Sequence, residues 1–526
     1  MKRIRRLKET KKRNERDSST ESTFKDISLD LQKNLENIKK MLGESSDLTI
    51  RKIHSGTDET KLIAVIFIDG LADKVMVQES VIDPLMLDIR KTDISMNVIQ
   101  NSSFYETLKH FSLAACELKE IHCFQSLYEH LLSGDTIILI QDESKGFAIG
   151  SRNWKDRDVN EPTSQTVIRG PKDGFTETIR TNTALLRRKI KDPSLWIETN
   201  PISHKTKTDV ALVYLKDVVD ANILQEVRER LKKIDTDSIL ESAYIEEYIQ
   251  DNTYTPFPTI FNSERPDTIA AGILEGRVAI LVDGTPFALL VPTLFVQFFQ
   301  SSEDYYQRFD ISVMVRLLRY ISFFLALLTP SAYIAVTTFH QEMLPTSLLI
   351  SLAAQREGTP FPALIEALLM ELTFEVLREA GIRMPRAVGS AISIVGALVL
   401  GQAAVEAGIV SSAMVIVVSI TAISSFVMPS FNLAISLRVL RFPFMLLAAT
   451  FGLFGIIIGI IAMVLHLCSL RSFGVPYMSP MAPLIPKDQK DSILRAPLWK
   501  LRTRPSFISK GNETRNTTPP PKPESN

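Results

Sequence analysis

ISVMVRLLRYISFFLALLTPSAYIAVTTF, residues 311–339, decides the architecture of this chain. About twenty residues follow Arg319 without a charge, enough for a helix to cross a hydrocarbon core of about 30 Å. Arg316 and Arg319 mark the end of that helix that stays on the cytoplasmic side, and Pro330 predicts a kink. Three stretches downstream have the same character: AVGSAISIVGALVLGQAAVEAG (387–408), IVSSAMVIVVSITAISSFVMPS (409–430) and PFMLLAATFGLFGIIIGIIAMVLHL (443–467). Residues 311–470 therefore read as an α-helical polytopic membrane bundle. Gly389, Ser393, Ala397 and Gly401 recur every four residues, and Gly455 and Gly459 form a GxxxG in the last stretch. Such stripes let helix backbones approach closely, within one chain or between subunits.

Between the first two spans lies SLLISLAAQREGTPFPALIEALLMELTFEVLREAG, residues 347–381. Pro360 and Pro362 remove two backbone donors and bias Thr359 and Phe361 away from helix, so a hinge or re-entrant turn is expected there. In the amphipathic helix behind it, Glu371, Glu375 and Glu379 are spaced four apart and Arg378 falls three beyond Glu375, placing all four on one face. Glu366 points about 140° away. Ionisable groups in or beside a membrane face water, protein or each other. The face therefore suits either an interfacial helix with solvated charge or the lining of an ion pathway. Repeated around an oligomer axis, Glu371 and Glu375 would make an acidic ring that favours cations. Gln402 raises the same question, while Glu406, next to Gly408, suits a turn. Arg356, Arg378, Arg383 and Arg386 argue for a cytoplasmic loop before the second span and hence five crossings. A re-entrant 343–356 gives four crossings instead.

Upstream, strand-like and helix-like segments alternate. KLIAVIFID (61–69), DTIILIQDE (135–143), GFAIGS (146–151) and DVALVYLKD (209–217) read as strands. SLYEHLLSG (126–134), TNTALLRRKIKD and ANILQEVRERLKKID (221–235) read as helices. The fold class expected is an α+β soluble N-terminal region, built from two small α/β subdomains, ahead of the membrane bundle. Its parts are a basic polar tail and helix (1–44), subdomain 1 (45–160) and subdomain 2 (161–275). A hairpin and interfacial segment (276–310) follow, and a polar C-terminal tail (471–526) comes after the bundle. The hairpin is argued from Asp283-Gly284 between two apolar runs and from Pro286 and Pro292, which disfavour a helix. It is expected to pack the soluble region onto the membrane surface.

Composition excludes several functions. Among 526 residues, 60 basic and 60 acidic side chains cancel, so no bulk field argues for nucleic acid. Cys116, Cys123 and Cys468 cannot build a disulfide framework. Cys116 and Cys123 flank His122 without a recognised metal spacing, so plain thiols, no metal and no cofactor are expected. No nucleotide-binding, metalloprotease or nucleophile-elbow spacing occurs. Glu246 and Glu247 read as solvated charge. The expectation is a protein that is not an enzyme. The start, MKRIRRLKETKKRNER, shows no apolar core of a signal peptide, so the soluble region is expected on the cytoplasmic side.

Several stretches carry a likeness to a known family. EPTSQTVIRGPKDGFTETIRTNTALLRRKI (161–190), YTPFPTIFNSERPD (254–267), GRVAILVDGTPFALLVP (276–292) and TPFPALIEALLMELTFEVLREAGIRMP (359–385) resemble the A subunit of the spore germinant receptors, the GerA family. GQAAVEAGIVSSAMVIVV (401–418) and SFGVPYMSP (472–480) match as well. The resemblance covers about residues 45–500 and implies residence in the inner membrane of a bacterial endospore, with the N-terminal region facing the core. It implies a transporter-like B subunit and a lipoprotein C subunit as partners, a homo-oligomer of A subunits, and membrane lipid around them. It further implies an ion-conducting unit that responds to small nutrients and triggers germination. It supplies no catalytic residues. A stage V sporulation paralogue, acting downstream in ion and dipicolinate release, shares most of these motifs. A secondary transporter is disfavoured, because no pair of repeated halves with matched broken helices is visible.

Overall fold

The computed structural model describes residues 26–55, 61–88, 118–152, 161–162, 165–383, 401–509 and 512–521. Two five-stranded sheets form the soluble region. The first contains β1 (Leu48–Ser55), β2 (Lys61–Ile68), β3 (Leu118–Ile121), β4 (Thr136–Ile140) and β5 (Gly146–Ile149) in the order β1-β2-β4-β5-β3. The second contains β6 (Leu195–Ile202), β7 (Thr208–Leu215), β8 (Phe261–Ser263), β9 (Val278–Val282) and β10 (Ala288–Val291) in the order β6-β7-β9-β10-β8. Every neighbouring pair is antiparallel. Two hairpins and one extra edge strand thus build each sheet. The soluble region does mix helices and strands as expected, and its helices link antiparallel hairpins instead of crossing between parallel strands.

The two units are copies of one plan. Helix α1 (Leu31–Met41) precedes the first sheet and α2 (Phe124–Leu131) joins β3 to β4; α3 (Ile179–Lys189) precedes the second sheet. Helices α4 (Ala221–Lys232) and α5 (Ser242–Ile249) lead to β8, and α6 (Pro266–Leu274) joins β8 to β9. Asn34 in α1 and Asn182 in α3 are both buried and clasp the backbone six residues earlier. Each Oδ1 accepts the N–H of that residue, Ser28 at 3.0 Å and Thr176 at 2.8 Å. Each Nδ2 donates to the same residue's carbonyl at 2.6 Å. The first N–H of each helix donates into the turn of the second hairpin, Leu31 to Gln141 Oε1 at 3.1 Å and Ile179 to Asp283 Oδ1 at 3.0 Å. Asp47 and Arg187 lock the two units together by two bonds of 2.9 and 3.1 Å, with both side chains 1% exposed.

The 278–292 hairpin forms, with Leu289 opposite Ile280 and Gly284 at φ +90° in its turn. β9 pairs with β7 and β10 with β8, so the hairpin also completes the second sheet. VAILV and ALLV are buried at every position, the mark of a strand covered on both faces. The following 3-10 turn, Phe295–Phe299, is the segment that meets the helices: Phe299 stacks on Tyr320 at 4.3 Å, and Phe295 packs on Phe323 and Tyr477.

Helices α7 (Phe309–Thr338), α8 (Thr346–Arg356), α9 (Ala363–Arg383), α10 (Gly401–Glu406), α11 (Ser412–Phe426) and α12 (Phe431–Ser469) form the helical region. Two of them, α7 and α12, are long and apolar enough to cross a membrane. α12 is two arms, because Gly452 has φ 62° and ψ −142°. A methyl on Gly459 would lie 2.8 Å from the Phe444 ring, and one on Gly455 would strike the Leu447 carbonyl. Residues fifteen apart would sit about 22 Å apart along a straight helix, so the chain reverses at Gly452. The single last span expected over 443–467 is therefore corrected to a helical hairpin, and Gly455 and Gly459 pack on the arm before them. Hydropathy reports apolar length and is blind to a reversal inside it. Gly452 itself abuts Phe339 and His340 beyond the end of α7, which defines a distal end. His466 meets Thr255 of the soluble region at 2.9 Å, and Ser430 shares a cleft with Ser301 and Ser302, which defines the proximal end.

The C-terminal segment is not the polar tail expected over 471–526. It folds back on the second unit, burying Phe473, Val475, Tyr477 and Ile508. Ser472 Oγ accepts from Thr293 N–H at 3.0 Å and donates to the Thr259 carbonyl at 2.8 Å. Residues after the last helix thus lie on the same side as the N-terminal region. Of the second expected span, 387–408, only residues from 401 onward are described. Gly389, Ser393 and Ala397 lie outside the described residues, and Gly401 opens α10 in ordinary contact range of Val415.

Candidate functional site

The charged residues of α9 form a ladder inside the helical region. A break after α8 precedes it, where Pro360 and Pro362 interrupt the helix as the sequence requires. The Pro362 carbonyl accepts from Ile365 and Glu366 at 2.9 and 3.1 Å and starts α9. Glu366 does point away from the other carboxylates, and it is fully buried. Its Oε2 accepts from Ser411 N–H at 3.1 Å and Ser411 Oγ at 2.9 Å, at the cap of α11. Thr359 Oγ1 and Arg356 approach its other oxygen at 3.4 and 3.6 Å. Glu366 therefore ties the proline break to the distal start of α11.

One and a half turns on, Glu371 pairs with Arg441 of α12, each 1% exposed. Arg441 Nε also donates to the Ala326 carbonyl of α7 at 2.9 Å. Glu375 accepts from Arg378 at 3.2 Å and from Arg438 of α12 at 2.9 Å. Arg378 donates to Ser425 Oγ of α11 at 3.1 Å and lies over the Phe374 and Phe426 rings. Glu379 pairs with Arg383 on the exposed side. Gln402 donates to Glu406 at 2.9 Å, also exposed. Neither pair joins the ladder.

Glu371, Glu375 and Arg378 are thus brought together on one face, as their spacing predicts, but that face meets protein. The missed residues are Arg438 and Arg441. Their signal was in the sequence: two arginines three apart, facing the same way, at the head of an otherwise apolar run. An acidic ring needs free carboxylates, and in this chain Arg438 and Arg441 neutralise them.

A second buried network joins the helical region to the soluble region at the proximal end. Arg316 donates to Asp304 at 2.9 Å and Asp491 at 2.7 Å, and Arg319 donates to Asp304 at 2.8 Å. Tyr305 OH donates to Asp491 at 2.8 Å. Burial pushes the Asp491 carboxyl and the Tyr305 hydroxyl up, although Arg316 opposes both. Arg316 and Arg319 do mark the proximal end of α7, yet they are sealed in protein. Among the described residues no group of three or more His, Cys, Asp or Glu side chains is placed to hold a metal ion.

Comparison with known proteins assigns the family. The sequence profile described as Bacillus/Clostridium GerA spore germination protein matches residues 36–507. The chain belongs to the GerA family of spore germination proteins. Within that family it is 50% identical to Spore germination protein KA of Bacillus subtilis, over 93% of this chain and 88% of that one. It is 40% identical to Spore germination protein GerLA of Bacillus cereus, over 94% and 99% respectively. The crystal structure of the N-terminal domain of the A subunit of the Bacillus megaterium spore germinant receptor GerK3 aligns with 52% of this chain and 100% of that one, at 37% identity and a TM-score of 0.42. Among the described residues, the ladder and the proximal network are two places where clustered charge is buried within or beside the long helices.

Proposed function

We propose that this chain is the A subunit of a nutrient-responsive germinant receptor, seated in the inner membrane of the endospore with its soluble region facing the core. One observation carries the membrane reading: the helical region is inside out. Charged Glu371 and Arg441 are buried, while Ile423, Phe426, Val439 and Leu465 are 56–69% exposed. Water punishes that arrangement and lipid accommodates it. Both ends of the helical region meet the soluble region, which supports an even number of crossings.

The subunit acts as a conduit or gate and not as an enzyme, in a complex with transporter-like B and lipoprotein C subunits and further copies of itself. The ladder is its gate. α9 follows the proline break, and its carboxylates are free to attract cations only when it moves away from Arg438 and Arg441. The test is to delete the chain from spores, restore it, and follow nutrient-triggered release of monovalent ions. Release should vanish on deletion and return with the wild-type chain. Restoration with Glu375→Gln should form the complex but alter the ion flux. Spores that lack the chain yet answer every nutrient normally would sink the receptor reading. Unchanged flux in Glu375→Gln would sink the gate.

A further inference from the structure

The ladder does not balance its charge. Two carboxylates, Glu371 and Glu375, face three guanidinium groups, Arg378, Arg438 and Arg441, and Arg378 lies within electrostatic range of the other four. Buried Arg378 Nε, Arg438 Nε and Arg441 Nη2 find no hydrogen-bond acceptor among the described residues, and Glu371 Oε1 finds no donor, so the ladder's own groups leave a net excess of one guanidinium. Residues 384–400 contain no aspartate or glutamate that would supply the missing charge. An uncompensated guanidinium in an apolar setting is costly, so an anion is called for.

Position selects its kind. Arg378 contacts Ser425 and Phe426, and Met428–Ser430 just beyond line a cleft with Ser301 and Ser302 of the soluble region. Arg438 lies eight residues past Ser430, about 12 Å along the helix. The two side chains are 10% and 18% exposed, so the cluster opens to the outside. Around it Val376, Ile423, Phe426 and Val439 present bare apolar surface, 56–69% exposed. Mostly buried arginines that keep an exposed edge at the rim of an apolar surface fit an acidic headgroup with its acyl chains alongside. We infer that Arg378 and Arg438 hold the phosphate of an anionic phospholipid from the leaflet that faces the soluble region. This rests on the membrane reading above.

The purified full chain in neutral detergent is titrated with phosphatidylglycerol, phosphatidylcholine or inorganic phosphate while thermal unfolding is followed. Phosphatidylglycerol should raise the midpoint and phosphatidylcholine should not. Arg378→Gln and Arg438→Gln should each raise the half-saturating lipid concentration about tenfold or more, the weight of a charge-assisted hydrogen bond. Arg383→Gln, at an exposed site, should leave it within about twofold. Where the glutamine variants fail to fold, Arg378→Lys and Arg438→Lys keep the charge, lose the planar fork, and should show a severalfold loss. Equal stabilisation by the two lipids, an equal loss in Arg383→Gln, or no loss in the lysine variants would overturn the site. Inorganic phosphate reproducing the whole shift at the same concentration would assign a soluble oxyanion and overturn the lipid. Flotation with vesicles separates the two readings. A chain that floats with neither lipid refutes the membrane assignment, and one that floats with both but shows no preference refutes the site alone.

Discussion

Arg441 of α12 donates to the Glu371 carboxylate of α9, and neither side chain is more than 1% exposed. With the Arg441 bond to the Ala326 carbonyl, one guanidinium joins α7, α9 and α12. Removing one partner strands the other in an apolar interior, so Arg441→Leu should destabilise the chain by about 3–5 kcal/mol. Glu371→Leu combined with Arg441→Met should recover most of that loss, because no buried charge remains. Thermal unfolding of the purified variants as a double-mutant cycle measures this. Simple addition of the two losses would show that the residues do not act as a pair.

Asp47 and Arg187 hold the two soluble units at their junction, and Arg187 Nη1 also donates to the Leu195 carbonyl at 2.7 Å. Asp47→Ala leaves that guanidinium buried and half satisfied, and about 3–5 kcal/mol should be lost. The expected sign is faster proteolytic cleavage between the units, within the exposed stretch 165–172, with the helical region still protected. Cleavage at the wild-type rate would mean that the sheets are held by other contacts.

Gly452 has a backbone that side chains with a Cβ rarely adopt, and an added methyl would also lie 2.7 Å from the His340 ring. Gly452→Val should therefore abolish the folded chain, and His340→Ala should not rescue it, since the backbone strain remains. With the native cysteines replaced by serine, single cysteines at Ser430 and Arg471 should label from the same side of a vesicle. A cysteine at Phe451 should label from the other. Labelling of Ser430 and Arg471 from opposite sides would show that α12 crosses once.

Glu246, read from sequence as solvated, is half-buried, and burial pushes its carboxyl up to about 7, with Glu241 adding and a bond to Asn262 opposing. Its proton is held more tightly in the folded state than in the unfolded one. That contribution is fully present below about pH 4.5 and is lost as pH rises through about 7. Glu246→Gln should leave stability unchanged near pH 4.5 and raise it above pH 7, by roughly 1–2 kcal/mol after allowance for partial exposure. Equal curves for variant and wild type at pH 8 would place the carboxylate in water after all.

Features that depend on near neighbours along the chain were legible from the residues alone. Strand KLIAVIFI, the Asp283-Gly284 turn, the proline break at 360–362 and the shared face of Glu371, Glu375 and Arg378 are set by local periodicity and backbone chemistry. Long apolar runs likewise announced the helical region. Tertiary structure alone decided what those faces meet. Arg441 is 70 residues from Glu371 and Asp491 is 175 from Arg316, and no local pattern records such a pairing. The Gly452 reversal was hidden because an apolar run looks the same straight or folded. The repeat of the two sheets was hidden because hydrogen-bonding roles were kept, as in Asn34 and Asn182, while the surrounding side chains changed. Local physics chooses the elements. Burial, which requires every polar atom brought inside to find a partner, chooses how they are put together.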